Sequence, residues 1–436
     1  MLTKEDNEML TQTDAGTPMG ELFRRFWIPA CLSEEISAPD CPQVRVRLLG
    51  EDLIAFRDTD GNPGLIFPYC PHRGSPMFLA RNEEHGIRCV YHGWKFDVTG
   101  KCVDIPNSFE GETYKDKVSI KAYPCWDKGG IIWTYMGPAD KEPPKPAYEW
   151  LEFKDDQRYV MKYVLHCNYF QGIEGDYDPS HGWFLHNTVD VDAVNPRNRV
   201  ARANSPRTNF LNRKHFECED TLYGLRQVSV TAFQDSNEET KNRVSMSHFF
   251  MPCFTSAGVS GPNVFASNMR VPIDDENCMF YRLRWAYQPF TPQQVWEDKY
   301  GGYTYPELIP GTYETKENKA NDYLMDRWYQ KTTTSTGIKS GPTQDQAVIE
   351  DQWGPITDRT QEHLLTSDQP LMKVRQRLIN SARALREGEE PSGPSNPEAY
   401  RVHSVNFSVP DTVPISEAVD MVKERSAGPT ETGVYR

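Results

Sequence analysis

Tyr69-Cys70-Pro71-His72-Arg73-Gly74 is followed, after sixteen residues beyond His72, by Cys89-Val90-Tyr91-His92-Gly93-Trp94. This C-x-H-x16-C-x2-H pattern puts one thiolate and one imidazole in each of two short loops. Pro68, Pro71, Gly74 and Gly93 suit loops whose backbone bends around a small centre. Two Cys and two His can hold structural zinc, or a [2Fe–2S] cluster with two His on one iron. Ordinary zinc sites group Cys with Cys and His with His. Here the two types alternate, which suits Cys70 and Cys89 on one iron and His72 and His92 on the other. His85, nearby, reads as a surface loop residue.

A second group lies in Glu174-Gly175-Asp176-Tyr177-Asp178-Pro179-Ser180-His181, leading into Gly182-Trp183-Phe184-Leu185-His186. Five residues of straight helix turn through about 500°, so His181 and His186 would point apart. Pro179 and Gly182 imply a bend that could bring both rings to one ion. From the residues alone, metal ligands and ordinary histidines both stay open. Farther on, Thr343-Gln344-Asp345-Gln346-Ala347-Val348-Ile349-Glu350-Asp351-Gln352 carries three carboxylates. These fit either a ligand-bearing helix or an ordinary acidic helix face.

The elements that must position these groups are legible in part. The chain has 436 residues, enough for two or three domains. Mean hydropathy is −0.68. No run approaches the ~18 apolar residues of a spanning helix, and Met1 to Asp14 lacks the apolar core of a signal peptide. The expectation is a cytoplasmic protein away from membranes. The net charge of −14 argues against nucleic acid as the main ligand. Ten cysteines without an export signal read as reduced thiols.

Gln43-Val44-Arg45-Val46-Arg47-Leu48 alternates with period two, and Leu53 to Phe56 and Gly130 to Tyr135 are also strand-like. Lys141-Glu142-Pro143-Pro144-Lys145-Pro146 interrupts both helix and strand, so a boundary is placed there. The resulting division is 1–142, 143–386 and 387–436, the last read as an extended tail that packs on the body or on a neighbour. Residues 223–290 are rich in strands. Residues 367–386 are predicted helical, with Asp368 as cap and Leu371, Val374, Leu378, Ala382 and Leu385 on one stripe. No G-x-G-x-x-G and no P-loop occurs, so nothing signals a nicotinamide or flavin domain.

Cys-Pro-His-Arg-Gly followed by Cys-Val-Tyr-His-Gly-Trp-Lys-Phe resembles the Rieske domain of the Rieske non-haem iron oxygenases. The D-x-x-H-x4-H segment resembles that family's mononuclear-iron segment. Gly354-Pro355-Ile356-Thr357-Asp358-Arg359-Thr360 supports the register of the branch containing phthalate dioxygenases and aromatic-acid O-demethylases. The resemblance implies a two-domain α+β fold: a β-rich Rieske [2Fe–2S] domain, then a larger helix-grip-like catalytic domain with an antiparallel sheet. It implies a mononuclear Fe(II) held by His181, His186 and Asp345, with Glu350 and Asp351 as reserves. It gives Asp178 the role of bridging two subunits of a head-to-tail homotrimer, with Asp176 and Glu174 as weaker candidates.

The implied activity is hydroxylation of an aromatic carboxylate with O2 and electrons from a separate NAD(P)H-dependent flavin/iron–sulfur reductase. Either cis-dihydroxylation or O-demethylation fits. A Rieske electron carrier or sensor without turnover is the competing reading. Arg197, Arg199, Arg202, Arg207 and Arg213 form a basic island suited to binding a carboxylate or to a solvated surface. Arg207 is the first substrate anchor, at the start of a strand into the catalytic sheet, and Arg243 the second.

Overall fold

The strand-like segments of the first third become strands: Val44–Leu48 alternates buried and exposed positions, whereas Leu53 to Phe56 and Ile131–Tyr135 are buried on both faces. A computed structural model describes residues 1–178, 180–187, 209–235, 239–256, 264–302 and 304–426. Val44–Leu48, Glu51–Arg57, Pro63–Ile66 and Ala122–Tyr123 form one antiparallel sheet in that order. Arg81–Glu83, Gly86–Arg88, Lys95–Phe96 and Cys102–Asp104 form a second. Ile54, Phe56, Ile66, Met77, Ile87 and Phe96 close over Cys70 and Cys89 as a separate apolar core. The two Cys/His loops leave this core at one end.

After the proline run comes an eight-stranded antiparallel sheet. Its order is Arg158–Leu165, Cys278–Ala286, Val264–Pro272, Phe254–Ser256, Thr240–Phe250, Gly224–Gln234 and Asn209–Asp220. The eighth strand, Val405–Pro410, pairs with Thr240–Phe250. The helix Tyr169–Tyr177 crosses this sheet with Tyr169, Phe170, Ile173 and Tyr177 buried. Its cap is Asn168, whose side-chain oxygen accepts from the Phe170 N–H at 3.1 Å. The Asn168 amide donates onward to the Thr11 and Asp275 carbonyls, tying the helix start to two remote segments. The helix Gly341–Ile349 packs against Tyr169–Tyr177.

One ionic clamp fixes the Tyr169–Tyr177 helix. Glu174 accepts from Arg359 Nη2 at 2.6 Å and from Arg375 Nε at 2.6 Å, and Arg375 also grips Glu362. Burial pushes the Glu174 carboxyl up, and the two guanidiniums outweigh it, holding it below the ordinary carboxylate range. Among the described residues no helix is long and apolar enough to cross a membrane.

Two elements differ from the expectation. Residues 387–436 are not an extended tail over their described part. Val405–Pro410 adds a strand, and the helix Ile415–Ser426 covers the sheet with Ala418, Val419 and Val422 buried on Val228, Val230, Val244 and Met246. Burying Val419 and Val422 contributes roughly 1.5–3 kcal/mol each. The helix predicted over 367–386 spans Gln369–Arg386 and buries Val374, Leu378 and Ala382. Its expected cap, Asp368, instead accepts from the Leu365 N–H at 2.7 Å and closes the preceding turn.

Candidate metal centres

The two N-terminal loops share one turn. Gly74 N–H donates to the Cys70 carbonyl and Gly93 N–H to the Cys89 carbonyl, both at 2.9 Å. Both glycines take positive φ, +69° and +78°, which costs glycine little and other residues more. Cys70 and Cys89 are each 2% exposed. Burial pushes the Cys70 thiol up to about 11, against backbone N–H groups of His72 and Arg73 that favour the thiolate, while neighbouring Cys89 adds to the rise. The His72 and His92 rings sit 4.5 Å apart, and His72 stacks on Trp94 at 4.4 Å. His72 Nδ1 is buried and has no hydrogen-bond partner. Two adjacent buried sulfurs and an orphaned imidazole nitrogen fit a cluster with mixed ligands.

The second centre forms where the Tyr169–Tyr177 helix ends. His181–Trp183 is a single 3-10 turn, and Leu185 N–H bonds back to the His181 carbonyl at 2.9 Å. This turn resolves the phase problem of two His five residues apart. Their ring centroids lie 5.3 Å apart. His186 Nε2 is 3.1 Å and His181 Nε2 3.7 Å from the same atom, Asp345 Oδ1. His186 Nδ1 pairs with Gln344 Oε1 at 2.8 Å and His181 Nδ1 with the Asp178 carbonyl at 3.0 Å. Both Nδ1 atoms therefore donate to oxygens, leaving both Nε2 lone pairs aimed at one place, as a ligating pair requires. Among the described residues this is the one group of three whose donor atoms all lie within 4.8 Å of one another.

Burial lowers the His186 imidazole, and the Asp345 carboxylate and Gln344 amide outweigh it, so it stands above its ordinary value. Burial raises Asp345, and the two imidazoles outweigh it, with His186 contributing most. The donor set, two nitrogens and one carboxylate, suits non-haem Fe(II) with open positions.

The other carboxylates are already engaged. Glu350 accepts from the His166 N–H, the Gln346 amide and the Tyr323 hydroxyl. Asp351 pairs with Lys319 at the surface. Asp176 accepts from Thr255, Asn268 and Arg270, with Arg270 Nη2 at 2.9 Å. Asp178 differs. Its Oδ1 accepts from Ser180 N–H and Oγ at 2.7 Å each, while Oδ2 is 4.0 Å from His181 Nδ1.

Arg243 donates through Nε to Asn406 Oδ1 at 3.0 Å and shares no hydrogen bond or ion pair with the triad. Burial depresses its pKa. Thr231 lies opposite it, and Ser229 and Ser245 bond across the same strand pair, which makes this sheet face polar. Arg207 lies outside the described residues. Gln344, which orients His186, has no signal in the sequence beyond its place beside Asp345.

Residues 26–124 match the Rieske [2Fe-2S] domain family, and residues 134–426 match the family described as LigXa C-terminal domain like. The phthalate 4,5-dioxygenase oxygenase subunit of Pseudomonas putida is 35% identical over 402 residues, covering 90% of this chain and 89% of that protein. The 5,5'-dehydrodivanillate O-demethylase oxygenase subunit of Sphingobium sp. (strain NBRC 103272 / SYK-6) is 30% identical, covering 94% and 86%. The reduced complex between oxygenase and ferredoxin in carbazole 1,9a-dioxygenase shares the fold, with a TM-score of 0.54, 16% identity and coverage of 90% and 98%.

These matches run through both domains, so the reading as a bare electron carrier is set aside. With one domain built around a pair of Cys/His loops and a second carrying a His/His/Asp triad, the chain belongs to the Rieske non-haem iron oxygenases. It is an oxygenase subunit that carries a [2Fe–2S] cluster and a mononuclear iron.

Proposed function

We propose that the protein oxygenates an aromatic carboxylate, either by cis-dihydroxylation of a phthalate-like acid or by O-demethylation of a methoxylated lignin-derived acid. Cys70, His72, Cys89 and His92 hold the cluster, and His181, His186 and Asp345 hold the iron. The cluster supplies single electrons and the iron supplies O2 activation when bound. The observation that carries the assignment is the convergence of two Nε2 atoms on one oxygen of Asp345.

The remaining roles belong to side chains. Gln344 and the Asp178 carbonyl hold the two imidazoles in the Nδ1–H tautomer. Asp178 joins His181 to the partner subunit's His92 or the partner subunit's His72 in a homotrimer. Support comes from its neighbours: Glu174 and Asp176 are each locked by arginine, whereas Asp178 Oδ2 makes no ion pair with an arginine of the described residues. Arg243, a half-buried cation with no carboxylate partner among the described residues, anchors the acid group of the substrate, with Arg207 as its companion. The proline run supports a division at 142/143 between the electron-accepting and oxygenating units. Residues 1–25 pack their helices Lys4–Thr11 and Pro18–Phe23 on Gln369–Arg386 of the second unit.

His181→Ala should keep the reddish colour and Rieske EPR signal and abolish reductase-dependent O2 uptake. Wild-type turnover in that variant removes His181 from the site. A screen of aromatic acids for stimulated O2 uptake identifies the substrate class, and formaldehyde release separates demethylation from dihydroxylation.

A further inference from the structure

Behind Asp345, on the side lined by the sheet, lies a cavity of about 60 Å3. Asp176, Asn268, Arg270, Arg282, Asp345 and Gln346 contribute its polar wall. Three of these residues present a buried polar atom with no partner: Arg282 Nε, Asn268 Oδ1 and Gln346 Oε1. Gln346 itself is only 1% exposed, so its orphan oxygen cannot be reached by bulk water. Orphans of this kind cost about 1–3 kcal/mol each unless something in the cavity satisfies them.

Arg282 stands out among the arginines of this sheet end. Arg270 pairs with Asp176 at 2.9 Å and Arg284 with Asp298 at 2.5 Å. Arg282, directly across the strands from Asn268, pairs with no carboxylate of the described residues. The Tyr305 ring lies 5.6 Å from its guanidinium carbon. Asp345 uses Oδ1 toward the two histidines, and no described side chain donates a hydrogen bond to its Oδ2.

The lining decides what fills the space. Two neutral acceptor oxygens and two carboxylates face one unpaired guanidinium, and the charges of Asp176, Asp345, Arg270 and Arg282 cancel. An anion would meet more acceptors than donors. Water both donates and accepts, and the volume holds about four to six molecules at roughly 10–15 Å3 each.

Resting on the assignment of Asp345 as an iron ligand, we propose that Arg282, with Asn268 and Gln346, holds a buried water cluster against the rear of Asp345. Arg282 is thereby a positioning residue for that carboxylate. The waters donate to Asp345 and accept from Arg282, fixing the plane of the Asp345 carboxylate. Outer partners of ligating carboxylates commonly matter 10–100-fold to metal affinity.

The test uses the full chain with its cluster intact, its mononuclear metal removed by chelation and replaced by titrated Co(II). Arg282→Met should weaken Co(II) binding about 10-fold and shift the Co(II) d–d absorption, with the cluster absorption unchanged. A role for Arg282 as a nearby charge alone has the opposite sign, because removing a cation tightens the binding of a divalent ion. Unchanged or tighter binding with a wild-type spectrum overturns the proposal.

If Arg282→Met does not fold, Arg282→Lys keeps the charge and removes the Nε–H. Binding weakened at least threefold then supports the water cluster, and wild-type affinity overturns it. Asp345→Asn is the control for the underlying assignment. If Asp345→Asn keeps wild-type Co(II) affinity, the ligand assignment fails. If it loses affinity while the Arg282 variants do not, only the role of Arg282 fails.

Discussion

Replacing Asp178 by asparagine should stop electron delivery and leave the fold intact, while the same change at Asp176 should do its damage through stability. The two residues are two positions apart and chemically identical, so the structure alone separates them. Asp176 is 11% exposed at the side chain and receives four hydrogen bonds, two of them from an Arg270 that is 4% exposed. Asparagine there leaves the guanidinium buried without its anion and turns an NH2 toward the donors of Arg270 and Asn268. Removing one partner of such a pair costs about 3–5 kcal/mol.

Asp178 has no such obligation. Its Oδ1 accepts from Ser180, which an amide oxygen can also do, and among the described residues its Oδ2 makes no ion pair with a lysine or arginine, Arg213 sensing it only as a more distant charge. Asp178→Asn should therefore cost less than about 1 kcal/mol. Its effect on reductase-dependent O2 uptake should be at least 10-fold, the lower end for a group that orients a metal ligand. Urea unfolding followed by circular dichroism, with cluster absorption as an occupancy check, reads both quantities. Equal destabilisation by the two changes, or full turnover in Asp178→Asn, would refute the division of labour.

Three further outcomes are expected. Burial pushes the His248 imidazole down to about 3 from an ordinary 6.5, where Tyr223, the His403 carbonyl and Ser426 enclose it. The unfolded chain then binds the extra proton between those values, so stability falls as pH drops from 6.5 toward 3, by about 1.4 kcal/mol per unit. His248→Gln should flatten that part of the urea-unfolding profile, and an unaltered slope would count against the buried neutral ring. Arg359→Met should cost about 3–5 kcal/mol by leaving Glu174 with Arg375 alone; a loss below about 1 kcal/mol would show that the clamp does not hold the helix. Gly93→Ala places a Cβ 2.5 Å from the Pro106 ring at a φ of +78°, so cluster content per protein, read from visible absorption, should fall; a full complement would mean that the loop tolerates the shift.

The first metal centre was almost wholly legible because its chemistry is local. Each half offers a Cys and a His within four residues, and each glycine closes its own turn, so spacing alone carried the ligand set. Period-two alternation likewise marked strands such as Val44–Leu48. The tail was misread because Val405–Pro410 and Ile415–Ser426 bury their apolar faces only on a strand pair some 160 residues earlier.

What the sequence by itself determined was the menu of donor atoms, the elements around them and the absence of a nicotinamide-binding motif. Tertiary structure decided which donors meet. It spent Glu174 and Asp176 on arginines, engaged Glu350 with Tyr323 and Gln346, and left Asp345 and Asp178 available. It also set Gln344 behind His186, and sheet register set Arg282 beside Asn268. The physical reason is that a salt bridge or strand pairing joins residues tens to hundreds of positions apart, and no local pattern encodes which buried charge finds which partner.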